Sequence, residues 1–180
     1  MTTLAAHTEQ PVLHSEVVEN PDPETDSESD SEAGDDEYEL DDEIIERATF
    51  EQLLQMDDDE DRNFSRSLVD DYFTQAEQTF EELDTAMSRL DFADMARLGH
   101  FLKGSSAALG LVRIKGSCER LQHYGELKDA EGVASIPKEE AEDLIQALLA
   151  QMRDEYDEAK EHLDAFYITH QSQGQNPDQD

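Results

Sequence analysis

Cysteine and tryptophan are almost absent from this chain: 180 residues carry one cysteine and no tryptophan, and positive charge is scarce, 13 Lys and Arg against 47 Asp and Glu. One cysteine excludes an internal disulfide and, with it, a Cys-rich metal centre. No run reaches the ~18–20 apolar residues that a membrane span requires. The net charge of −34 disfavours nucleic acid and anionic lipid as partners and favours basic protein surfaces. Met1-Thr2-Thr3-Leu4 lacks the basic flank of a signal peptide, and a transit peptide would be rich in Arg and poor in acids. Cytoplasm and nucleus are therefore the expected compartments.

The length predicts one domain, and the charge is unevenly spread along it. Residues 1–40 hold 13 acids and no Lys or Arg. Within them Asp26-Ser27-Glu28-Ser29-Asp30-Ser31-Glu32 is of low complexity, with too little apolar surface to offset an ordering entropy of about 1–2 kcal/mol per residue. The expected organisation is a disordered acidic arm over 1–40, an ordered domain over 41–168 and a disordered polar tail over 169–180. Ser27 and Ser29 each have an acid three residues on, a pattern that acidophilic kinases favour, which makes both candidate phosphoserines. Residues 97–128 reverse the sign: Arg97, Lys103, Arg113, Lys115, Arg120 and Lys128 stand against only Glu119 and Glu126. Charge alone leaves this stretch either a solvated helix pair or a docking site.

The domain reads as all-α. Ile44, Ile45, Ala48, Leu53 and Leu54 predict a short first helix. Phe64, Leu68, Tyr72, Ala76, Phe80, Leu83, Met87 and Leu90 keep helical spacing over roughly seven turns. Met95, Leu98, Leu102, Ser105 and Leu109 predict a third helix, and Ile114, Cys118, Leu121 and Gly125 a fourth. The clearest pattern runs through Ala141, Leu144, Ile145, Leu148, Met152, Tyr156, Ala159, Leu163 and Phe166, with Pro137, Glu139 and Glu140 suited to its first turn. Glycines are expected at joints such as Gly110, Gly116 and Gly132. The economical architecture is an antiparallel four-helix bundle with a short additional N-terminal helix. The short connection from Leu127 to Pro137 makes the last two helices neighbours. With the apolar stripes consumed by one bundle, a monomer is expected. The acidic run from Asp57 fails as a calcium loop, because Arg62 and Leu68 stand where Gly and Glu are needed. It serves better as the source of N-cap acids for the helix near Phe64.

Chemistry converges on the third helix. Met95, Leu98, Phe101, Leu102, Ser105 and Leu109 fall in one arc, the expected buried stripe, and His100 points about 200° from its centre. Around His100 stand Ala96, Lys103, Gly104 and Ala107, three small residues and one cation, so the imidazole is open to a large partner. Lys103 is placed to stabilise a dianionic phosphoryl group, and Gly104 leaves room for close approach. Gln122, on the flank of the fourth helix, is a candidate to bond the imidazole or the phosphoryl oxygens. Cys118 lies on an inner stripe and reads as packing. His123 has no partner that the sequence identifies.

The run His100-Phe101-Leu102-Lys103-Gly104-Ser105-Ser106-Ala107-Ala108-Leu109-Gly110-Leu111 resembles the phosphoacceptor helix of histidine-containing phosphotransfer proteins, specifically the fungal phosphorelay intermediates of two-component signalling. The likeness continues through Arg113-Ile114, Cys118-Glu119-Arg120-Leu121-Gln122 and Gly125. It also includes Met56-Asp57-Asp58-Asp59 and Phe64-Ser65. The resemblance implies a phosphoryl shuttle with no kinase activity of its own. His100 would accept a phosphoryl group from the receiver-domain aspartate of a hybrid sensor histidine kinase and pass it to the receiver aspartate of a response regulator. It implies phosphohistidine at His100, charge stabilisation by Lys103 and an orienting role for Gln122. A receiver-docking surface over Ala96, Gly104, Ser105 and Ala107 follows, with the basic stretch 97–128 facing the acidic active sites of receivers. No cofactor or metal of its own is implied, the Mg²⁺ being bound by the receiver. The chain departs from relatives that carry a basic residue after the glycine matching Gly125: Glu126 stands there, with Lys128 two residues later.

Two other classes compete. The dimerisation domain of a histidine kinase usually has an acid directly after its histidine, where this chain has Phe101, and feeds an ATP-binding domain for which the remaining chain is too short. A non-catalytic acidic binding protein would use 1–40 to hold basic partners. For the arm itself the resemblance supplies no role.

Overall fold

The computed structural model describes residues 40–58 and 61–173. The acidic arm up to residue 39, with Ser27 and Ser29, and the tail from residue 174 lie outside the described residues.

Five helices follow in order: α1 (Arg47–Leu54), α2 (Asn63–Ser88), α3 (Phe92–Ala108), α4 (Val112–Gly125) and α5 (Lys138–Gln173). The chain is all-α, and the described residues outside helices form only the isolated bridges Ile45–Leu111 and Lys128–Ser135. Short connectors make consecutive long helices antiparallel. α2 packs on α3, α3 on α4, α4 on α5, and α5 returns to α2, closing a four-helix bundle. Its axis is filled by Ala76, Leu83, Met95, Leu102, Leu121, Ile145, Met152 and Leu163, all fully buried. Edge-to-face rings lock α2 to α5, Phe73 and Phe80 standing 5.2 and 5.7 Å from Tyr156. Phe50 of α1 meets Phe166 at 5.3 Å, and such pairs add roughly 0.5–1.5 kcal/mol each beyond burial.

Capping explains the helix starts. Asp91 Oδ1 accepts from the Asp94 amide at 3.1 Å and opens α3. Arg62 precedes α2 in the left-handed region (φ 52°) and gives it no side-chain cap. The cap comes from the acidic run, where Asp57 Oδ1 accepts from the Ser65 amide at 2.8 Å. Ile44 and Ile45 precede α1 rather than belonging to it. The Val112 amide donates to the Ile44 carbonyl, and the Glu46 amide to the Gly110 carbonyl, so this segment is stitched to the α3–α4 turn. Gly110 (φ +76°) is required there, since a Cβ would stand 2.9 Å from the Glu46 carbonyl.

Several expectations need correcting. Leu40, assigned to the disordered arm, is buried in the core, because the segment leading to α1 folds back and the Asp41 amide donates to His162 Nε2 at 3.0 Å. α5 continues through residues 169–173, which were assigned to the tail. Polar composition does not end a helix without a breaker, and the next Gly and Pro are Gly174 and Pro177. Thr169 Oγ1 donates to the Ala165 carbonyl there, and the His170 ring stacks 4.3 Å from Phe166. Pro137 sits just before α5 rather than in its first turn, its carbonyl accepting from the Ala141 amide. Gly116 lies inside α4, not at a joint. Phe64, Leu68 and Leu90 keep helical spacing yet are exposed, and Leu90 ends α2 in the left-handed region (φ 51°).

Candidate functional site

The buried face of α3 is not the arc its apolar residues mark out. Phe101 is 48% exposed, whereas Gly99 and Ser106 are buried beside Met95, Leu98 and Leu102. The buried arc is turned by about 50° away from Phe101. The reason is the α3–α4 seam. Gly99 has no side chain, and a Cβ there would stand 3.1 Å from the Cys118 carbonyl and 3.2 Å from the Gln122 amide nitrogen. Gly125 does the same one turn towards the end of α4, where a Cβ would meet the Ala96 nitrogen and the Phe92 carbonyl at 2.7 Å. Two glycines thus bring α4 down onto α3, and Gln122 arrives beside His100. At the other end of the seam Ser106 Oγ donates to the Leu102 carbonyl at 2.7 Å and bonds Tyr72 Oη of α2 at 2.9 Å. This fixes the rotation of α3 against α2.

His100 is exposed, as its position predicts, with Nδ1 3.3 Å from Gln122 Oε1. Lys103 Nζ donates to the same oxygen at 3.1 Å and lies 3.6 Å from Glu119 Oε1. Gln122 Nε2 donates to Glu126 Oε1 at 3.2 Å, and Lys128 Nζ holds the other oxygen of that carboxylate at 2.7 Å. Hydrogen bonds from Lys128 first, and then from Gln122, keep the Glu126 carboxyl below the usual carboxylate range. A carbonyl oxygen cannot donate, so Nδ1 must carry the imidazole proton. The lone pair then sits on Nε2, to which no described residue bonds. The result is an accessible nucleophile beside an ammonium group.

The structure therefore brings together His100, Lys103 and Gln122. Gly104 is exposed one turn from His100, and a Cβ there would meet nothing within 4 Å; its lack of a side chain serves no internal packing. Ala107 is half-buried on the same side. Ala96 and Ser105 are placed differently from the expected docking surface. Ala96 is half-buried against Gly125 in the seam. Ser105 lies about 140° round the helix from His100, its hydroxyl turned back to the Leu102 carbonyl. The basic stretch is likewise not gathered on one face. Arg113 and Arg120 line a groove between α4 and α5 with Glu155 and Glu158, on the side of α4 opposite Gln122, and Arg113 is paired with Glu158. Arg97 is paired with Asp94.

Residues that the sequence reading missed are Gly99, Ser106, Tyr72 and Glu119. His123 also has a structural partner, its Nδ1 lying 2.8 Å from the Ala130 carbonyl. Among the described residues no cluster of three or more metal-ligating side chains is present, and no described helix is long and apolar enough to cross a membrane.

The Hpt domain family matches residues 67–162. Multistep phosphorelay regulator 1 of Schizosaccharomyces pombe is 46% identical over 133 residues, 73% of this chain but 45% of that longer protein. Phosphorelay intermediate protein YPD1 of Candida albicans is 33% identical, the match covering 69% of this chain and 92% of the relative. Among solved structures, that of Saccharomyces cerevisiae Ypd1 with the receiver domain of its downstream response regulator Ssk1 matches with a TM-score of 0.62 and 32% identity. The match covers 73% of this chain and 99% of the Ypd1 chain.

Proposed function

Because the chain belongs to the histidine-containing phosphotransfer (Hpt) family, we propose that it is a phosphorelay intermediate whose phosphoacceptor is His100. The observation that carries this reading is the single carbonyl oxygen of Gln122, which faces both His100 Nδ1 and Lys103 Nζ. In the step proposed, the Nε2 lone pair attacks the phosphorus of a receiver's aspartyl phosphate. The P–N bond forms, the P–O bond to the aspartate breaks, and the carboxylate leaves. The ring becomes cationic, its Nδ1 proton held on Gln122 Oε1. Lys103 is within one helical turn to neutralise the phosphoryl oxygens. The reverse step, onto a second receiver's aspartate, uses the same groups. The Mg²⁺ for both steps belongs to the receiver, and this chain contributes nucleophile, orientation and charge.

The surroundings of His100 suit a protein partner rather than a small molecule. The imidazole is exposed, and Phe101 beside it is an exposed apolar ring. Phe101 and Gln75 line one groove between α2 and α3, and Phe64 and Leu68 share the α2 face of Gln75. Together they offer an apolar strip for a receiver domain, with Gly104 allowing close approach. The expected partners are the receiver domains of a hybrid sensor histidine kinase and of a response regulator, with this chain acting as a monomer in cytoplasm and nucleus. Incubation with phosphorylated receiver domains tests the reading: label must appear on the wild type and not on His100→Gln.

A further inference from the structure

The phosphoacceptor histidine is only as good a nucleophile as its tautomer allows, and in this fold the tautomer follows from which end of the Gln122 amide faces it, an end selected by Lys103 on one side of the amide and by a further group on the other. A primary amide has an acceptor end and a donor end, and Gln122 could turn either towards His100. If Nε2 of the amide faced the imidazole, Nδ1 would have to accept. The ring proton would then sit on Nε2, where it blocks attack. That flipped amide would also point a donor at the Lys103 ammonium. The orientation present is the opposite one, and the group that meets the far end of the amide is Glu126.

Glu126 can only accept while ionised, so it admits only the NH₂ end of Gln122. It stands at the C-cap of α4, four residues after Gln122, and does not hang free there. Its second oxygen is held by Lys128 Nζ. Lys128 belongs to a turn tied down at many points. Its amide donates to the His123 carbonyl, the Ile136 amide to the Leu127 carbonyl and the Asp129 amide to the Ala134 carbonyl. Asp129 Oδ1 accepts from the Val133 and Ala134 amides, and Gly132 lies flat against the His123 ring, with no room for a Cβ.

We propose that Glu126, anchored by Lys128 in the α4–α5 turn, is a positioning residue that holds the Gln122 amide with its carbonyl towards His100 and thereby keeps the ring proton on Nδ1 and the lone pair on Nε2. The inference rests on the phosphorelay reading only for its purpose, since the tautomer is a property of the chain without a partner. It also gives a role to the residue at which this chain departs from its basic counterparts.

The test is a two-bond ¹H–¹⁵N correlation spectrum of the full chain with ¹⁵N-histidine, recorded at pH 8, with the His100 signal assigned through His100→Gln. In the wild type the Nδ1–H form predominates at His100. Glu126→Ala lowers the ratio of Nδ1–H to Nε2–H about fivefold, the effect of one ordinary net hydrogen bond, with helical circular dichroism unchanged. Glu126→Gln, whose carbonyl can still accept, restores the ratio to near the wild-type value. An unchanged ratio in Glu126→Ala, or a wild-type ring mainly in the Nε2–H form, overturns the proposal. A shifted ratio in a protein that no receiver phosphorylates supports the positioning role and defeats the phosphorelay reading instead.

Discussion

Which nitrogen of an imidazole holds its proton decides whether it can attack phosphorus, and that decision is local to His100 and the oxygen of Gln122. Lys103 shares that oxygen, so its charge lies within one turn of the site of attack without touching the ring. Lys103→Ala removes this charge and leaves the fold alone, since its stem is partly exposed and it caps no helix. We expect transfer to slow by roughly 10-fold, in line with the loss of about 1.5 kcal/mol from one charge-assisted contact, with the urea midpoint unchanged. Equal transfer rates and phosphohistidine lifetimes in the variant and wild type would remove Lys103 from the mechanism. The pair His100 and Lys103 was legible in the chain, because helical spacing alone sets Lys103 one turn after His100 and keeps both off the core, whereas Gln122 was a candidate on the flank of the next helix. Glu119 and Glu126 were legible only in principle: with Gln122 they fall at steps of three and four residues on one face of α4, but nothing in one sequence says which face meets α3.

At the scale of elements, the site is a product of how closely α3 and α4 approach. The two helices meet across Gly99 and Gly125, and a methyl group at Gly125 would press on backbone atoms 2.7 Å away. Gly125→Ala should therefore cost about 1–3 kcal/mol, measured by urea unfolding, and should loosen the contact of Gln122 with His100. Gly104→Ala should do the reverse. It meets open space in a helix interior, so the substitution should stabilise the fold by about 0.5–1 kcal/mol while a larger side chain, as in Gly104→Leu, slows transfer. A stability loss at Gly104 would show that its role is packing. This seam is also where reading by apolar periodicity breaks down. The sequence pattern puts Phe101 in the core and overlooks Gly99 and Ser106, because a close helix pair buries small residues and a hydroxyl that finds partners in Tyr72 and Leu102. The long helices α2 and α5 were predicted within a few residues because their apolar stripes meet several neighbours. The place of Leu40 was not, since it depends on a partner distant in sequence, His162 with Asp41, and the end of α5 was not, because polar residues extend a helix that no breaker stops.

The whole molecule combines a very acidic surface with a core that carries several protonated groups. Burial pushes the Tyr72 phenol well above its ordinary value of 10.0, and the Tyr167 phenol up to about 12. The Cys118 thiol is likewise pushed from 9.0 up to about 12. Groups whose folded values are raised contribute fully below their unfolded values and lose that contribution as pH rises past them. Stability should thus be flat from pH 7 to about 8.5 and fall by about 2–4 kcal/mol between pH 9 and 11, read from urea midpoints at successive pH. A midpoint unchanged at pH 11 would contradict the packing of Tyr72 and Cys118 described above. Basic side chains on this surface are paired locally: Arg97, Arg113 and Lys128 each have an acidic partner. Helical rotation splits the run of basic residues that looks like one patch in the sequence: Arg113 and Arg120 turn to the α4–α5 groove, while Arg97 and Lys103 stay within one turn of His100 and Lys115 falls on the α4 face of Gln122. Transfer of ³²P from a phosphorylated receiver domain to the full chain and to His100→Gln tests the central claim most directly. The account predicts label on the wild type alone, labile in acid and stable in alkali as a phosphoramidate is. A folded wild-type protein that takes no label from any of several receivers, or a His100→Gln variant that takes it equally, would contradict it.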